Sequence, residues 1–285
     1  MSELTTRDLV ELVEKLYPPA RKSDWDQIGL VCGRLDQEVT GVVVAVDLTH
    51  EVIDFAESNE ANFVLVHHPL FLSGVHEVSE ERFKGEFVHR LIEGKIALMV
   101  AHTNADAANP GVSDAVAAAL GLSNTVPIEI IESEVVGLGE SGPVGIGRVG
   151  ALETPMSLRD FASLVADATP ATAQGVRVAG DLDRMVQRVA VCGGSGDSYL
   201  DLLEPLGVDV YLTSDLKHHR TRDHLDAGGC AVVDIPHWAS EFPWCAVAAR
   251  SIATWLGDNG IEVPVAVYEQ PTDPWVLHLE SGSSA

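Results

Sequence analysis

Five residues of types suited to holding metal fall in three short segments. His67 and His68 lie in Val66-His-His-Pro-Leu70, Asp106 closes His102-Thr-Asn-Ala-Asp106, and His237 and Glu241 bound His237-Trp-Ala-Ser-Glu241. Imidazole nitrogens with carboxylates suit zinc, iron or manganese, whereas calcium and magnesium prefer oxygen shells. Each segment follows an apolar run: Phe63-Val-Leu-Val66, Ile96-Ala-Leu-Met-Val-Ala101, and Ala231-Val-Val-Asp-Ile235. Such runs read as buried parallel strands, and ligands of open α/β sheets sit beyond the carboxyl ends of the strands. Successive side chains on a strand point to opposite sides, so His67 and His68 are poorly placed to chelate one ion. They could each hold one of two ions, about 3.5–4 Å apart in typical two-metal sites. The competing reading is a hydrogen-bonded histidine pair among ordinary acids. No zinc-finger spacing or HExxH decides between the two.

His237 and Glu241 would share one face of a helix if the segment were helical. Pro236 and Pro243 bracket it, and Ser240 is a good N-cap with Pro243 tolerated in the first turn. The expectation is therefore a helix opening at Glu241, with His237 left at a strand end. Cys192-Gly-Gly-Ser-Gly-Asp197 reads as a glycine-rich turn after a strand, either a plain turn or a cradle of backbone N–H groups for a phosphate. A nucleophile at Ser195 or Cys192 has no Ser-His-Asp order to recommend it. Asp47 reads as a helix-capping acid or a support for a ligand. His218 and His219 stand open between substrate contact and surface, and His50, His76, His89 and His278 read as solvated.

The elements that must position these residues alternate between strand and helix. Leu4, Leu9, Leu12, Val13 and Leu16 make the N-terminal segment an amphipathic helix. Val42-Val-Val-Ala-Val-Asp47 is an apolar strand, and Thr49 caps the helix after it. Strands at 63–68 and 96–101 flank a helix near 83–93, and an Ala-rich helix ends near Gly121. Residues 122–148, with Gly137-Leu-Gly-Glu-Ser-Gly-Pro143, turn acidic and rich in Gly and Pro. A lobe boundary is placed there, giving α/β lobes over 1–124 and 125–285. Strands at 144–149, 176–179, 186–191, 208–213, 231–235 and 263–268 and helices at 157–168 and 241–256 fill the second.

Composition narrows the function classes. The chain has 285 residues, 46% hydrophobic and 21% charged, a globular balance. Its net charge of -25 repels phosphate backbones, and no Lys/Arg cluster offsets it, so nucleic-acid binding has no electrostatic footprint. No run approaches the roughly 20 apolar residues of a membrane span. The N-terminus has no export-type apolar region, which makes the cytoplasm the expected compartment. Four widely spaced cysteines form no CxxC pair and read as isolated buried thiols.

Together with Trp25-Asp-Gln-Ile-Gly-Leu30, Ala45-Val-Asp-Leu-Thr49 and Thr213-Ser-Asp-Leu-Lys-His218, the three segments resemble the dinuclear-metal toroid family known as GTP cyclohydrolase 1 type 2 homologs, the Nif-three-like proteins. The resemblance runs in order from Trp25 to the final helix. It implies that His67 and Asp106 hold one divalent ion, that His68 and His237 hold a second, and that Glu241 bridges them. His102 would be a nearby catalytic residue, supporting a ligand or shuttling a proton. It further implies two α/β lobes facing across a dinuclear cleft, assembled as a hexameric ring, with metal-activated water hydrolysing a small molecule. The family label points to a nucleotide, GTP opened at its imidazole carbon. Non-catalytic metal handling and a ring-shaped interaction scaffold are the other roles such a site admits. The interval between Asp106 and Thr213 is too short for the domain inserted in some relatives, and Gln27 stands where many relatives have Asn.

Overall fold

The computed structural model describes residues 3–137, 140–279 and 282. Leu138 and Gly139 of the Gly137–Pro143 segment lie outside the described residues. The fold is mixed α/β, and the chain divides into two compact units. One comprises Met1–Gly111, Val135–Gly142 and Trp244–Gln270; the other comprises Val112–Glu134, Pro143–Pro243 and Pro271–Ala285.

The first unit opens with α1 (Thr6–Leu16), whose Leu9, Leu12 and Val13 are buried. Its sheet is built from β1 (Gly29–Cys32), β2 (Val42–Ala45), β3 (Phe63–Val66), β4 (Ala97–Val100) and β13 (Val265–Val267). The order is β1-β4-β3-β2-β13, with β4, β3, β2 and β13 parallel and β1 antiparallel at the edge. Every residue of β2, β3 and β4 is buried, as continuous apolar runs in a parallel sheet require. Helices α2 (His50–Ser58) and α3 (Phe83–Glu93) cover one face, packing Ile53, Phe87 and Leu91 against Val43, Val64 and Leu98. Each such side chain removed from water contributes about 1.5–3 kcal/mol. Thr49 caps α2, as the sequence implies. The short α4 (Thr103–Ala107) follows β4 directly.

The second unit opens with α5 (Val112–Ala119). Its six-stranded sheet contains β5 (Ser123–Val126), β8 (Arg148–Ser157), β9 (Arg177–Ala179), β10 (Met185–Ser195), β11 (Val210–Ser214) and β12 (Ala231–Asp234). The order is β5-β8-β10-β11-β12-β9, and β10, β11 and β12 form the parallel heart. Ser157 caps α6 (Leu158–Ala168), which lays Phe161 and Val165 over Val189, Leu212 and Val233. Helix α7 (His218–Asp226) follows β11. The stretch 122–148 carries, besides β5, a two-stranded ribbon of β6 (Glu129–Gly137) and β7 (Glu140–Ile146), which its acids and glycines concealed in the sequence.

Helix α8 (His237–Asp258) corrects one expectation. It begins at His237, four residues earlier than the proline pattern implied, and carries Pro243 inside it. Ser240 is an interior residue rather than a cap. Its N–H donates to the Pro236 carbonyl at 3.0 Å and its hydroxyl donates to the His237 carbonyl at 2.7 Å. The hydroxyl in turn accepts from Gly194 N at 2.8 Å. These anchors hold the first turn despite the N–H that Pro243 lacks.

Two features of the fold give direct tests. Arg148 is 1% exposed, its guanidinium forked onto Asp114 at 2.6 and 2.5 Å and donating to the Gly145 and Gly147 carbonyls. Removing one member of a buried pair strands the other charge. Asp114→Ala should therefore cost about 3–5 kcal/mol in urea unfolding, and adding Arg148→Met should recover most of it. Equal loss in the single and double variants would contradict this account. At α1, Thr5 and Asp8 form a reciprocal capping box, and hydrogen bonds from the Thr5 side chain and backbone hold the Asp8 carboxyl below the usual carboxylate range. A depressed folded-state pKa contributes stability above the unfolded value and loses it as pH falls through the folded one. Asp8→Asn should be less stable than the parent at pH 7, and the deficit should shrink below roughly pH 4. A deficit of constant size from pH 7 to pH 3 would count against it.

Candidate metal centre

In the first unit the carboxyl ends of three adjacent parallel strands deliver the polar groups. Asp47 lies beyond β2, His67 and His68 beyond β3, and His102 beyond β4. His67 is fully buried, and its Nδ1 faces the Ala101 carbonyl at 2.9 Å. A carbonyl only accepts, so Nδ1 carries a proton and Nε2 is the nitrogen left to face a ligand. That Nε2 lies 3.7 Å from Asp106 Oδ1, which α4 presents one turn after His102. The half-buried His68 sets its Nδ1 2.7 Å from Asp47 Oδ1. His102 sets its Nδ1 2.8 Å from Asp26 Oδ1. Ligand atoms of His67, His68 and His102 lie within 4.8 Å of one another, a group able to hold metal. The Trp244 ring stands 5.3 Å from that of His67 and closes its apolar side.

Local hydrogen bonds explain the residue types around His102. Fully buried Asp26 accepts from His102, from Thr103 N at 3.0 Å, from the Thr103 hydroxyl and from Gln27 N. Burial pushes its carboxyl up, but the His102 and Thr103 hydrogen bonds win and hold it well below the usual range. Asn104 Oδ1 accepts from His102 N while its amide donates to the Tyr17 carbonyl. His-Thr-Asn is thus clamped at all three residues. Exposed Gln27, at the position where the sequence departs from many relatives, donates its backbone N–H to Asp26.

In the second unit the parallel strands β11 and β12 supply a similar pair. Asp215 follows β11 and His237 follows β12. His237 Nδ1 faces Asp215 Oδ2 at 2.6 Å, and its Nε2 lies 3.0 Å from Glu241 Oε1 one helical turn on. Asp215 adopts the left-handed backbone region, φ 58°, and the His237 hydrogen bond holds its carboxyl below the usual range against partial burial. Glu241 is 3% exposed and packs beside Gly194. A Cβ at Gly194, which also has φ +70°, would stand 2.5 Å from Glu241 Oε1. The glycine-rich segment is therefore shaped by the carboxylate beside it. Rather than turning after Val191, β10 runs on to Ser195 through a break in register. Thr213 and Tyr211 hydroxyls pin the Gly194 and Gly196 carbonyls.

The donor chemistry in each unit fits metal binding. All four histidines have Nδ1 bound by a carbonyl or carboxylate, the arrangement that orients metal-ligating imidazoles and raises their basicity at Nε2. The sequence reading missed Asp26 and Asp215, although Trp25-Asp-Gln and Thr213-Ser-Asp both contributed to the resemblance. Asp47 serves as a support, holding His68, while Thr49 does the capping. His218 and His219 are exposed, their rings 5.1 Å apart. Cys192 is buried, its Sγ directed at the Gly193 carbonyl.

Comparison with known proteins fixes the lineage. The family model for Duf34/NIF3 (NGG1p interacting factor 3) matches residues 4–274. A Streptomyces coelicolor protein named GTP cyclohydrolase 1 type 2 homolog is 42% identical over 98% of this chain and 96% of its own length. A Mycobacterium tuberculosis protein of the same name is 35% identical over 96% of this chain and 97% of its own. The second alignment runs over 374 residues against 278 for the first, so the mycobacterial relative carries sequence that this compact chain lacks. Among solved structures, a Staphylococcus aureus hypothetical protein superposes with TM-score 0.86 at 28% identity, covering 96% of this chain and 99% of that one. A Bacillus cereus protein related to NIF3 shares the fold, with TM-score 0.89 at 24% identity over 98% of this chain and 100% of that one. The chain belongs to the Duf34/NIF3 family.

Proposed function

We propose that this protein is a metal-dependent hydrolase acting on a small molecule through two divalent ions, zinc, iron or manganese. The observation that carries the reading is the common orientation of His67, His68, His102 and His237. Each is fixed at Nδ1 and offers Nε2. In this reading His67 and Asp106 hold one ion, His68 and His237 the other, and Glu241 is shared. Bound there, such ions would supply Lewis acidity for activating water near neutral pH. The chain's own residues supply the rest. Asp47 and Asp215 keep His68 and His237 in the ligating tautomer. His102, backed by Asp26, moves a proton at Nε2 towards the leaving group. The names of the relatives make a nucleotide the first substrate class to screen, and a hexameric ring is the assembly proposed with it.

Metal content by elemental mass spectrometry on untagged protein tests the centre. Native protein should bind near two equivalents, and His68→Ala and Glu241→Ala should each fall sharply, while His102→Ala keeps its metal and loses turnover. No metal after reconstitution would sink the proposal. The supporting carboxylates predict a graded effect: Asp47→Ala and Asp215→Ala should each weaken metal affinity by about 10–100-fold without unfolding the chain. Competition with a chelator of known affinity measures this, and parental affinity in both variants would remove the supporting role assigned to them.

A further inference from the structure

Trp25 stands beside the histidines of the first unit and is open to solvent. Its ring centroid lies 5.8 Å from that of His102, with the two planes at 78°, and 58% of the residue is exposed. An indole that exposed cannot have both faces covered. Single exposed apolar side chains are ordinary on a protein surface, but the mounting of this one is not. Asp26 N donates to the Ser23 carbonyl at 3.0 Å, which puts Asp24 and Trp25 at the corner of a turn. Further bonds fasten that turn to the site. Ser23 N donates to the Thr103 hydroxyl at 2.9 Å, and the Lys22 ammonium donates to the Asp26 carbonyl at 2.7 Å. The buried Asp26 carboxylate is held by His102 and Thr103. The segment that carries His102 therefore also fixes the backbone under Trp25.

A large ring held in place before anything binds loses little freedom when a second ring is laid on it. Indole also presents the most electron-rich face of the aromatic side chains, which favours electron-poor rings as its neighbours. The position gives such a contact a purpose. Ligand atoms of His67, His68 and His102 lie within 4.8 Å of one another, so a ring stacked on Trp25 lies at the edge of that group. We propose that Trp25 is the stacking platform for a planar heteroaromatic ring in the molecule bound at His67, His68 and His102, and that it selects for molecules carrying one. Stacking is sequence-tolerant among nucleobases because every base has a π face, so Trp25 selects the ring class and leaves the choice within it to other groups. Treating the bound molecule as a substrate rests on the hydrolase reading above, whereas the stacking does not.

Adenosine and nicotinamide are the probes, and ribose, which has no aromatic ring, is the control. Each is titrated into the full chain, reconstituted with metal and labelled with 5-fluorotryptophan at its five tryptophans. The fluorine resonance missing from Trp25→Phe belongs to Trp25. Both ring compounds should shift it saturably, and ribose should leave it in place. Affinity in the variants is read by saturation transfer to the adenosine ring protons. Trp25→Phe should stay within about threefold of the parent, while Trp25→Leu, apolar but without a π face, should weaken binding at least about tenfold. Far-UV spectra and metal content should match the parent in both. An unmoved Trp25 resonance, or equal binding by the Phe and Leu variants, would overturn the platform. So would parental ring binding by a Trp25→Leu chain that sediments as a smaller oligomer, which would make Trp25 an anchor between subunits. Ring stacking without hydrolysis of any heteroaromatic compound would retain the platform and reject the hydrolase. Metal-dependent hydrolysis that Trp25→Leu leaves unchanged would do the reverse.

Discussion

An imidazole ligates metal only through a nitrogen that has no proton, and a free ring exchanges its proton between two. The residues around the histidines of each unit follow from settling that exchange in advance. His67 is settled by a backbone carbonyl, and His68, His102 and His237 by Asp47, Asp26 and Asp215. Each partner must reach Nδ1 at hydrogen-bond distance, which fixes the ring plane as well as the tautomer. Parallel strands meet this demand economically. Adjacent strands end side by side, so the residue leaving one is within reach of the residue leaving the next. Asp47 and His68 leave β2 and β3; Asp215 and His237 leave β11 and β12. The same topology thus produces the same chemical pair in both units.

The Gly193–Gly194 segment follows from a second constraint, the burial of Glu241. A carboxylate 3% exposed needs room for both oxygens, and here that room is made by removing a side chain from the neighbouring strand. Gly193 and Gly194 let β10 pass close to the start of α8. Ser113 and Ser240 hydroxyls then take up the backbone N–H groups that the irregular strand releases. A glycine-rich turn after a strand suggests a phosphate cradle only while its N–H groups point at open space. Two of them here are already spent on serine hydroxyls. The same Ser240 hydroxyl supports the first turn of α8, so one side chain fixes both the strand and the helix that meet at Glu241.

Much of this was legible in the sequence, for reasons of range. The apolar runs that become β2, β3, β4 and β12 are continuous, and their last residues announce the strand ends. His67, His68, His102, Asp106, His237 and Glu241 lie within a few residues of such ends and could be named from them. Asp26 lies 76 residues from His102, and Asp215 lies 22 from His237, so the spacing of neither could mark it as a partner. The start of α8 was misplaced because proline chemistry sets a local preference. Ser240 and its tertiary partner Gly194 overrode that preference. Of the ribbon, β6 escaped notice and β7 was read only at its end, within a strand placed at 144–149, because strands that pair with each other need no long apolar run.

The ionisation of the supporting acids completes the physical case. Asp26 and Asp215 are both held below the ordinary carboxylate range, Asp26 against full burial in a chain of net charge -25. Burial and the surrounding negative field each favour a protonated acid, and a protonated acid could donate to Nδ1 and push the ring's proton to Nε2. Hydrogen bonds reverse that preference. Asp26 gathers two from backbone N–H groups and two from side chains, enough to keep both oxygens as acceptors. The fold thus spends four donors on a single carboxylate, one of them the His102 imidazole. A structural acid at that position could be replaced by a small apolar residue with fewer anchors. An acid that must remain an acceptor at His102 Nδ1 could not.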